Sequence, residues 1–302
     1  MIGASPLAAI PSPPINSIGI GPLTIHFYAL CILAGIALAM WWASRRWEAR
    51  GGDSGDMFDI AFVAVIAGII GARVYHVAVN PQDYFGAGIN PLSALMLWQG
   101  GLGIMGAVAF GAIAVYVMAR RKAVSFAVLA DTIAPTLLVA QAVGRLGNWF
   151  NQELYGGPTD LPWALEITCR HGDGVIVGCA PGLYHPTFLY EMLWNLAGCA
   201  VLLLLAWRFS LGGGRVFWLY AAIYASGRLV METLRVDPAT MVLGLRIHFV
   251  IAAVILVIAL TMVAVLTIRR RRRGGEARAA DGSFVLAART HPQDAPETRS
   301  TP

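Results

Sequence analysis

The sequence predicts an all-α polytopic membrane protein with about seven transmembrane helices and a small extracytoplasmic head. Of its 302 residues, 57% are hydrophobic and only 13% are charged, and the mean hydropathy is +0.65. An average soluble domain carries about 25% charged residues. The chain has no Gly-X-Y repeat and only four cysteines, so collagen and small disulfide scaffolds are excluded as well.

Seven long apolar runs are the second observation behind this fold class. A hydrocarbon core of about 30 Å needs roughly 20 apolar residues per helix. The predicted spans are approximately 24–44, 58–79, 98–118, 125–149, 187–207, 216–234 and 248–268. The fourth and sixth also contain ionisable residues and glycine, so they are weaker by hydropathy and more informative about function.

The placement of basic residues predicts the orientation. Thirteen of the 22 Lys and Arg residues follow the first, third, fifth or seventh span, and only Arg170, Arg235 and Arg246 lie in the opposite linkers. The positive-inside rule then places the N-terminus outside and the C-terminus in the cytoplasm. Because the arginine clusters flank apolar spans, nucleic-acid binding is a poor interpretation of the positive charge.

Composition also divides the chain into regions. The uncharged, proline-containing residues 1–23 predict an extracytoplasmic arm, and they lack the basic region of a cleaved signal peptide. Residues 24–268 form the predicted seven-helix membrane domain, with an external head at about 150–186. Residues 269–302 are basic and then polar, which predicts a disordered cytoplasmic tail.

Two cysteines fall in the predicted head. Cys169 and Cys179 either form a disulfide, which an oxidising exterior permits, or remain two thiols. A zinc site is less favoured because the spacing is wrong and only His171 lies close by.

Polar residues near the end of the fourth span indicate an anion-binding face. Gln141, Arg145 and Asn148 stand at i, i+4 and i+7 and share one helical face. Gly144 and Gly147 are expected to allow close approach of a neighbour. Arg145 alternatively snorkels to the outer interface. Basic residues are otherwise scarce at this end, so an arginine between two amides favours a pocket for an anion.

The sixth span carries a second such face. Tyr224, Arg228, Glu232 and Arg235 line one side of the helix, and Glu232 can pair with Arg228 or Arg235. The alternative is a structural network that joins helices. Two arginines against one glutamate leave a surplus positive charge, which favours an anionic lipid headgroup as guest. The residues alone predict binding of such a lipid and no reaction.

At these residues the chain resembles the bacterial prolipoprotein diacylglyceryl transferases, over roughly residues 15–268. The most specific piece is Gly144-Arg-Leu-Gly-Asn-Trp-Phe-Asn-Gln-Glu-Leu-Tyr-Gly156. The supporting pieces are His26-Phe-Tyr28, Gly71-Ala-Arg73, Trp98-Gln-Gly-Gly101, Asp131-Thr-Ile-Ala-Pro135, His185-Pro with Tyr190-Glu191, and Arg228, Glu232 and Arg235-Val-Asp237.

The resemblance implies an enzyme of the bacterial inner membrane. Phosphatidylglycerol donates its diacylglyceryl group to the lipobox cysteine of a preprolipoprotein, and glycerol 1-phosphate leaves. The expected partners are phosphatidylglycerol, the lipobox peptide and membrane lipids, with no metal, nucleotide cofactor or nucleic acid.

The resemblance also implies roles for single residues. Arg145 matches a phosphatidylglycerol-binding arginine and Arg228 an arginine essential for activity. The predicted catalytic set is Arg228, Arg145, Tyr28, His26 and Glu232. The predicted phosphatidylglycerol-binding set is Arg145, Asn148, Asn151, Gly156 and Arg235.

One departure from the family pattern concerns the general base. Met105 stands where the family often has a histidine. Either the base is His26, Tyr28 or His185, or the cationic cavity itself favours the thiolate, or the chain is a paralogue with altered activity. An alternative from another class is a transporter of anionic lipids or organic anions, although no inverted repeat supports it. A structural membrane scaffold would leave the buried arginines without a purpose.

Overall fold

The computed structural model describes residues 9–272, except positions 22, 87, 89, 98, 99, 173, 238 and 243. Its helices are α1 (Phe27–Glu48), α2 (Asp56–Val79), α3 (Gln82–Phe85), α4 (Ile104–Arg121), α5 (Phe126–Asn151), α6 (Thr187–Arg208), α7 (Arg215–Leu234) and α8 (Ile247–Arg272), with a 3-10 turn at Pro91–Leu95. Most of the predicted tail, from residue 273 onward, and residues 1–8 of the predicted arm lie outside the described residues.

The seven long helices in this part of the chain correspond to the seven predicted spans. Six of them are long and apolar enough to cross a membrane. The remaining one, α7, is less apolar because it carries Arg228 and Glu232. The protein is therefore a multi-pass membrane protein, as its fold class predicts.

The third predicted span begins later than expected. It was predicted from residue 98, whereas α4 begins at Ile104. Gly100 and Gly101 have φ of +81° and +68°, which an α-helix does not accommodate. The buried Arg73 side chain donates to the carbonyls of both glycines, at 2.6 and 3.1 Å, and so fixes this loop.

The chain divides into two compact units. In the first, which comprises residues up to 43 and 130–276, α5, α6 and α7 pack around an apolar core. Its buried members are Ala134, Leu138, Cys199, Leu202 and Val216. Cys199 thus packs as an apolar residue.

The start of α7 is held by a carboxylate from α5. Gly214, the residue before α7, has φ of +91°. Its N–H and that of Phe217 donate to the two oxygens of Asp131, at 2.8 and 2.9 Å. Because the first N–H groups of a helix have no partners within it, this buried carboxylate caps α7 and ties it to α5.

Short strands lie at the other end of the first unit. They are β1 (Ile10–Pro11), β2 (Ser17–Ile20), β3 (Leu23–His26), β4 (Leu165–Ile167), β5 (Arg170–His171), β6 (Gly174–Val175), β7 (Gly182–Tyr184), β8 (Met241–Val242) and β9 (Leu245–Arg246). β1 pairs parallel with β4, which pairs antiparallel with β7, and three hairpins join β2–β3, β5–β6 and β8–β9. Cys169 and Cys179 form a disulfide here, which decides between the alternatives that the sequence left open.

In the second unit, whose described part is residues 44–129, α2 crosses α4 at two glycines. A Cβ on Gly106 would lie 2.0 Å from the Gly71 carbonyl oxygen. Only glycine therefore fits at this crossing, as in other closely packed membrane helices.

Candidate active site

Seven charged side chains at one end of the first unit form a continuous series of ion pairs. They come from the last two turns of α5, the second turn of α6, the end of α7 and the segment that leads to α8. This set, termed the ion-pair network, comprises in order of contact Arg145, Glu191, Arg228, Glu232, Arg246, Asp237 and Arg235.

Glu191 joins the two arginines that the sequence singled out. Its Oε2 pairs with Nε of Arg145, and its Oε1 lies 3.4 Å from Nη1 of Arg228. The carboxylate is buried. Arg145 and Arg228 are thus brought together from different helices through a carboxylate that the sequence analysis did not select.

Glu232 is the most deeply buried member of the network. Its Oε2 lies 2.9 Å from Nη2 of Arg228, one helical turn earlier, and its Oε1 lies 2.6 Å from Nε of Arg246. The sequence analysis offered Arg228 or Arg235 as its partner. The pairing with Arg228 is confirmed. The second partner of Glu232 is Arg246 and not Arg235, because the β8–β9 hairpin brings Arg246 back towards α7.

Arg235 instead pairs with Asp237. The distance from its Nε to Oδ1 of Asp237 is 2.7 Å, and Nη2 of Arg246 lies 3.1 Å from Oδ2. Burial raises the pKa of Asp237, but the hydrogen bond and charge of Arg235 and the charge of Arg246 outweigh it, so the pKa falls below its ordinary value. This pair holds the segment after α7 in place.

The seven members of the network carry one net positive charge, since they comprise four guanidinium groups and three carboxylates. Glu153, which accepts hydrogen bonds from Asn148 and Asn151, is a further carboxylate of the site that lies outside this sum. The surplus agrees in sign with the one expected from the sequence. The charged residues that produce it differ from those expected, however, because Glu191, Asp237 and Arg246 also take part. A partly buried set of guanidinium groups with a positive surplus is suited to hold a phosphate group.

Space beside the network is small. A cavity of about 10 Å³ lies against Arg228 and Glu191 and is lined further by Trp194, Asn195 and Tyr224. That volume holds about one water molecule. This cavity alone is too small to hold a lipid phosphate.

The two predicted asparagines share another carboxylate. Nδ2 of Asn148 donates to Oε1 of Glu153 at 3.0 Å, and Nδ2 of Asn151 donates to the same oxygen at 3.2 Å. Gln141, on the same face of α5, donates to the hydroxyl of Tyr220 on α7 at 2.9 Å. The polar residues of this face thus contact different neighbours, Tyr220 at Gln141 and Glu153 at Asn148.

Tyr28 lies against α5 at Gly147. A Cβ on Gly147 would stand 2.4 Å from Cδ2 of Tyr28, so the ring occupies the space that a side chain at this position would need. A Cβ on Gly144 would meet no described atom within 4 Å. The expected close approach is therefore right at Gly147 and wrong at Gly144.

This contact predicts the effect of a one-carbon change. In Gly147→Ala the methyl group displaces the Tyr28 ring, and if that ring faces the reacting groups, activity should fall roughly 10–100-fold. Gly144→Ala is the matched control in the same helix, and it should leave activity unchanged and stabilise α5 by roughly 0.5–1 kcal/mol. Specific activity and thermal unfolding of the two purified variants test this; equal activity would remove Tyr28 from the site.

Gly156 joins backbone segments. Its N–H donates to the His185 carbonyl at 3.0 Å, and it forms a β-bridge with Arg235. A Cβ there would lie 2.8 Å from Cβ of His185 and 3.0 Å from the Leu234 carbonyl oxygen. Gly156 thus positions the end of α7, which carries Arg228 and is followed directly by Arg235.

Two of the three candidate bases, His26 and His185, make no described side-chain contact with the ion-pair network. His26 is the exposed last residue of β3, and no described contact links its side chain to the network. Nδ1 of His185 lies 3.3 Å from the Tyr190 hydroxyl. Met105 is the second residue of α4 and is 41% exposed.

Comparison with known proteins identifies the family. The model of the prolipoprotein diacylglyceryl transferase family matches residues 16–265, which is most of the chain. The chain belongs to the prolipoprotein diacylglyceryl transferase family. Among similar proteins, phosphatidylglycerol–prolipoprotein diacylglyceryl transferase of Corynebacterium diphtheriae is 50% identical over 278 residues, covering 88% of this chain and 96% of the relative.

Two further relatives carry the same description. The Cutibacterium acnes protein is 49% identical over 276 residues, covering 91% of this chain and 92% of its own length. Transferase 1 of Streptomyces coelicolor is 47% identical over 284 residues, covering 93% and 80%. These relatives are transferases, and they do not support the transporter alternative.

Four residues that make contacts in this candidate site are absent from the sets predicted from the sequence. They are Glu153, Glu191, Asp237 and Arg246. A signal existed for three of them, since Glu153 lies within the Gly144–Gly156 run and Glu191 and Asp237 lie within supporting pieces. Arg246 gave none, because it lies in a linker where basic residues ordinarily only set orientation.

Proposed function

We propose that this chain transfers the diacylglyceryl group of phosphatidylglycerol to the thiol of the lipobox cysteine of a preprolipoprotein and releases glycerol 1-phosphate. The observation that carries this proposal is its membership of the family together with 47–50% identity to relatives of that name. The buried guanidinium groups with a positive surplus support it, since the donor lipid is anionic.

The reaction exchanges one bond for another. A C–S bond forms at the terminal glycerol carbon while the C–O bond to the phosphate breaks, and the electron pair of that bond goes to the phosphate oxygen. The thiol proton is lost, and one proton ends on the phosphate monoester. Negative charge thus grows on the leaving phosphate in the transition state, and guanidinium groups already in place would stabilise it.

Arg145 and Arg228 are the groups that we assign to this phosphate. They stand on α5 and α7 and share Glu191, so one anion can approach both. Glu232 holds Arg228 from the far side, at 2.9 Å. The positive surplus also favours the thiolate form of the substrate cysteine, so we assign no dedicated base.

We further propose that the network lies at the outer face of the bacterial inner membrane. The helix ends that carry it adjoin the disulfide between Cys169 and Cys179, which an oxidising compartment favours. The opposite end of the first unit carries Arg208, Arg215 and Arg270, as a cytoplasmic end would. The N-terminus is then outside, and the C-terminus is in the cytoplasm.

The deciding experiment uses the purified protein in detergent. It is mixed with phosphatidylglycerol and a synthetic lipobox peptide with one cysteine, and mass spectrometry follows the peptide while a second assay measures glycerol phosphate. A diacylglyceryl adduct together with equal release of glycerol phosphate is expected. Failure of a folded protein that binds phosphatidylglycerol to form either product would overturn the proposal.

A further inference from the structure

Arg246 makes three contacts although it lies outside the long helices. It is the last residue of β9, directly before α8. Its Nε pairs with Oε1 of Glu232 at 2.6 Å, its Nη1 donates to the Asp237 carbonyl at 2.8 Å, and its Nη2 pairs with Oδ2 of Asp237 at 3.1 Å. Each nitrogen of the guanidinium group is therefore engaged, which fixes its position.

The contact between Arg246 and Glu232 changes the electrostatic environment of Arg228. Glu232 is buried and stands one turn after Arg228, a spacing at which both carboxylate oxygens can serve a single guanidinium group. Nε of Arg246 donates a hydrogen bond to Oε1, whereas Oε2 lies 2.9 Å from Nη2 of Arg228 without hydrogen-bond geometry. Two cations thus share one carboxylate, and neither is fully neutralised by it.

We propose that Arg246 is a positioning residue for the transfer reaction, which acts through Glu232 to keep the positive charge of Arg228 available to the lipid phosphate. The proposal rests on the proposed function. Without Arg246 the network would hold three guanidinium groups and three carboxylates, and its surplus charge would be lost.

The proposal predicts a specific kinetic pattern. The phosphate of phosphatidylglycerol carries one negative charge in the ground state and gains more as the phosphate leaves. A loss of positive charge at Arg228 therefore raises the energy of the transition state more than that of the bound substrate. The kcat should fall more than the KM for phosphatidylglycerol rises.

The test compares Arg246→Gln with Arg246→Lys. Arg246→Gln should lower kcat about tenfold and raise KM by at most about threefold. An effect of this size is typical of the energetic coupling between residues of one ion-pair network. Arg246→Lys keeps the charge beside Glu232 and should retain at least about a third of kcat. Arg170→Gln is the matched control, because Arg170 is exposed in β5 at the same end of the unit and no described ion pair includes it.

A second pair of variants tests the route through Glu232. If Arg246 acts through this carboxylate, adding Arg246→Gln to Glu232→Gln should change kcat less than about twofold. A full tenfold loss in that background would overturn the proposal, as would a folded Arg246→Lys that is as inactive as Arg246→Gln. Thermal unfolding identifies variants that fail to fold. If Arg246→Gln is among them, the kcat of Arg246→Lys tests the role of Arg246.

Failure of this inference is distinct from failure of the proposed function. The wild-type protein is assayed first, and formation of the peptide adduct by it upholds the transferase assignment whatever the variants do. If the wild type is active and Arg246→Gln has wild-type kcat and KM, only the role of Arg246 is refuted.

Discussion

Replacing Arg228 with alanine is expected to lower kcat for diacylglyceryl transfer by about 10²–10³-fold, the loss typical of removing one preorganised donor to a developing oxyanion. Arg228 contacts both Glu191 and Glu232 and is the central cation of the network. Arg145→Ala should act in the same direction, because Arg145 reaches the same carboxylate from α5.

The measurement is activity per folded molecule in detergent, with membrane insertion checked separately. Arg228→Lys keeps the charge but loses the planar fork that reaches two carboxylates, so it should recover only part of the activity. Arg208→Ala, at the opposite end of the first unit, serves as control and should behave as wild type. Normal lipidation by both Arg145→Ala and Arg228→Ala would refute the roles assigned here.

Glu191→Ala should produce a large loss of stability. The side chain is buried and holds Arg145 and Arg228 together. Removing one member of a buried ion pair costs about 3–5 kcal/mol, because the remaining charges lose their partner. A loss of that size lowers Tm by roughly 10 °C in a protein of this length.

Thermal unfolding of the purified variants measures this effect. Glu166→Ala is the matched control, since Glu166 is exposed in β4 and no described ion pair includes its carboxylate. Its Tm should stay close to that of the wild type. If Glu191→Ala unfolds at the wild-type temperature, Glu191 does not hold the two arginines together.

Hydropathy predicted the long helices well because the physical constraint is strong. A chain in hydrocarbon must satisfy its backbone within each segment, so apolar runs of bilayer length become helices. The start of α4 was missed because residues 98–103 are apolar enough for a span but contain glycines with positive φ. Hydropathy does not register backbone conformation, which here depends on the distant Arg73.

The site was predictable in part for a similar reason. Arg145 and Arg228 stood out because an ionisable residue within an apolar run is costly and therefore informative. Two other members of the network did not, since Glu191 lies on another helix and Arg246 reaches Glu232 only after a hairpin. Helical spacing shows which residues share a face, and it does not show which face of another element meets it.

The cap on α7 has a consequence for how the protein is made. Arg228 and Glu232, in the last two turns of α7, raise the cost of inserting this segment from the translocon. The N-terminus of α7 also depends on Asp131 of α5 for its hydrogen bonds. We therefore expect α7 to insert more completely when α5 is already in the bilayer, and a chain that lacks α5 should show reduced insertion of α7.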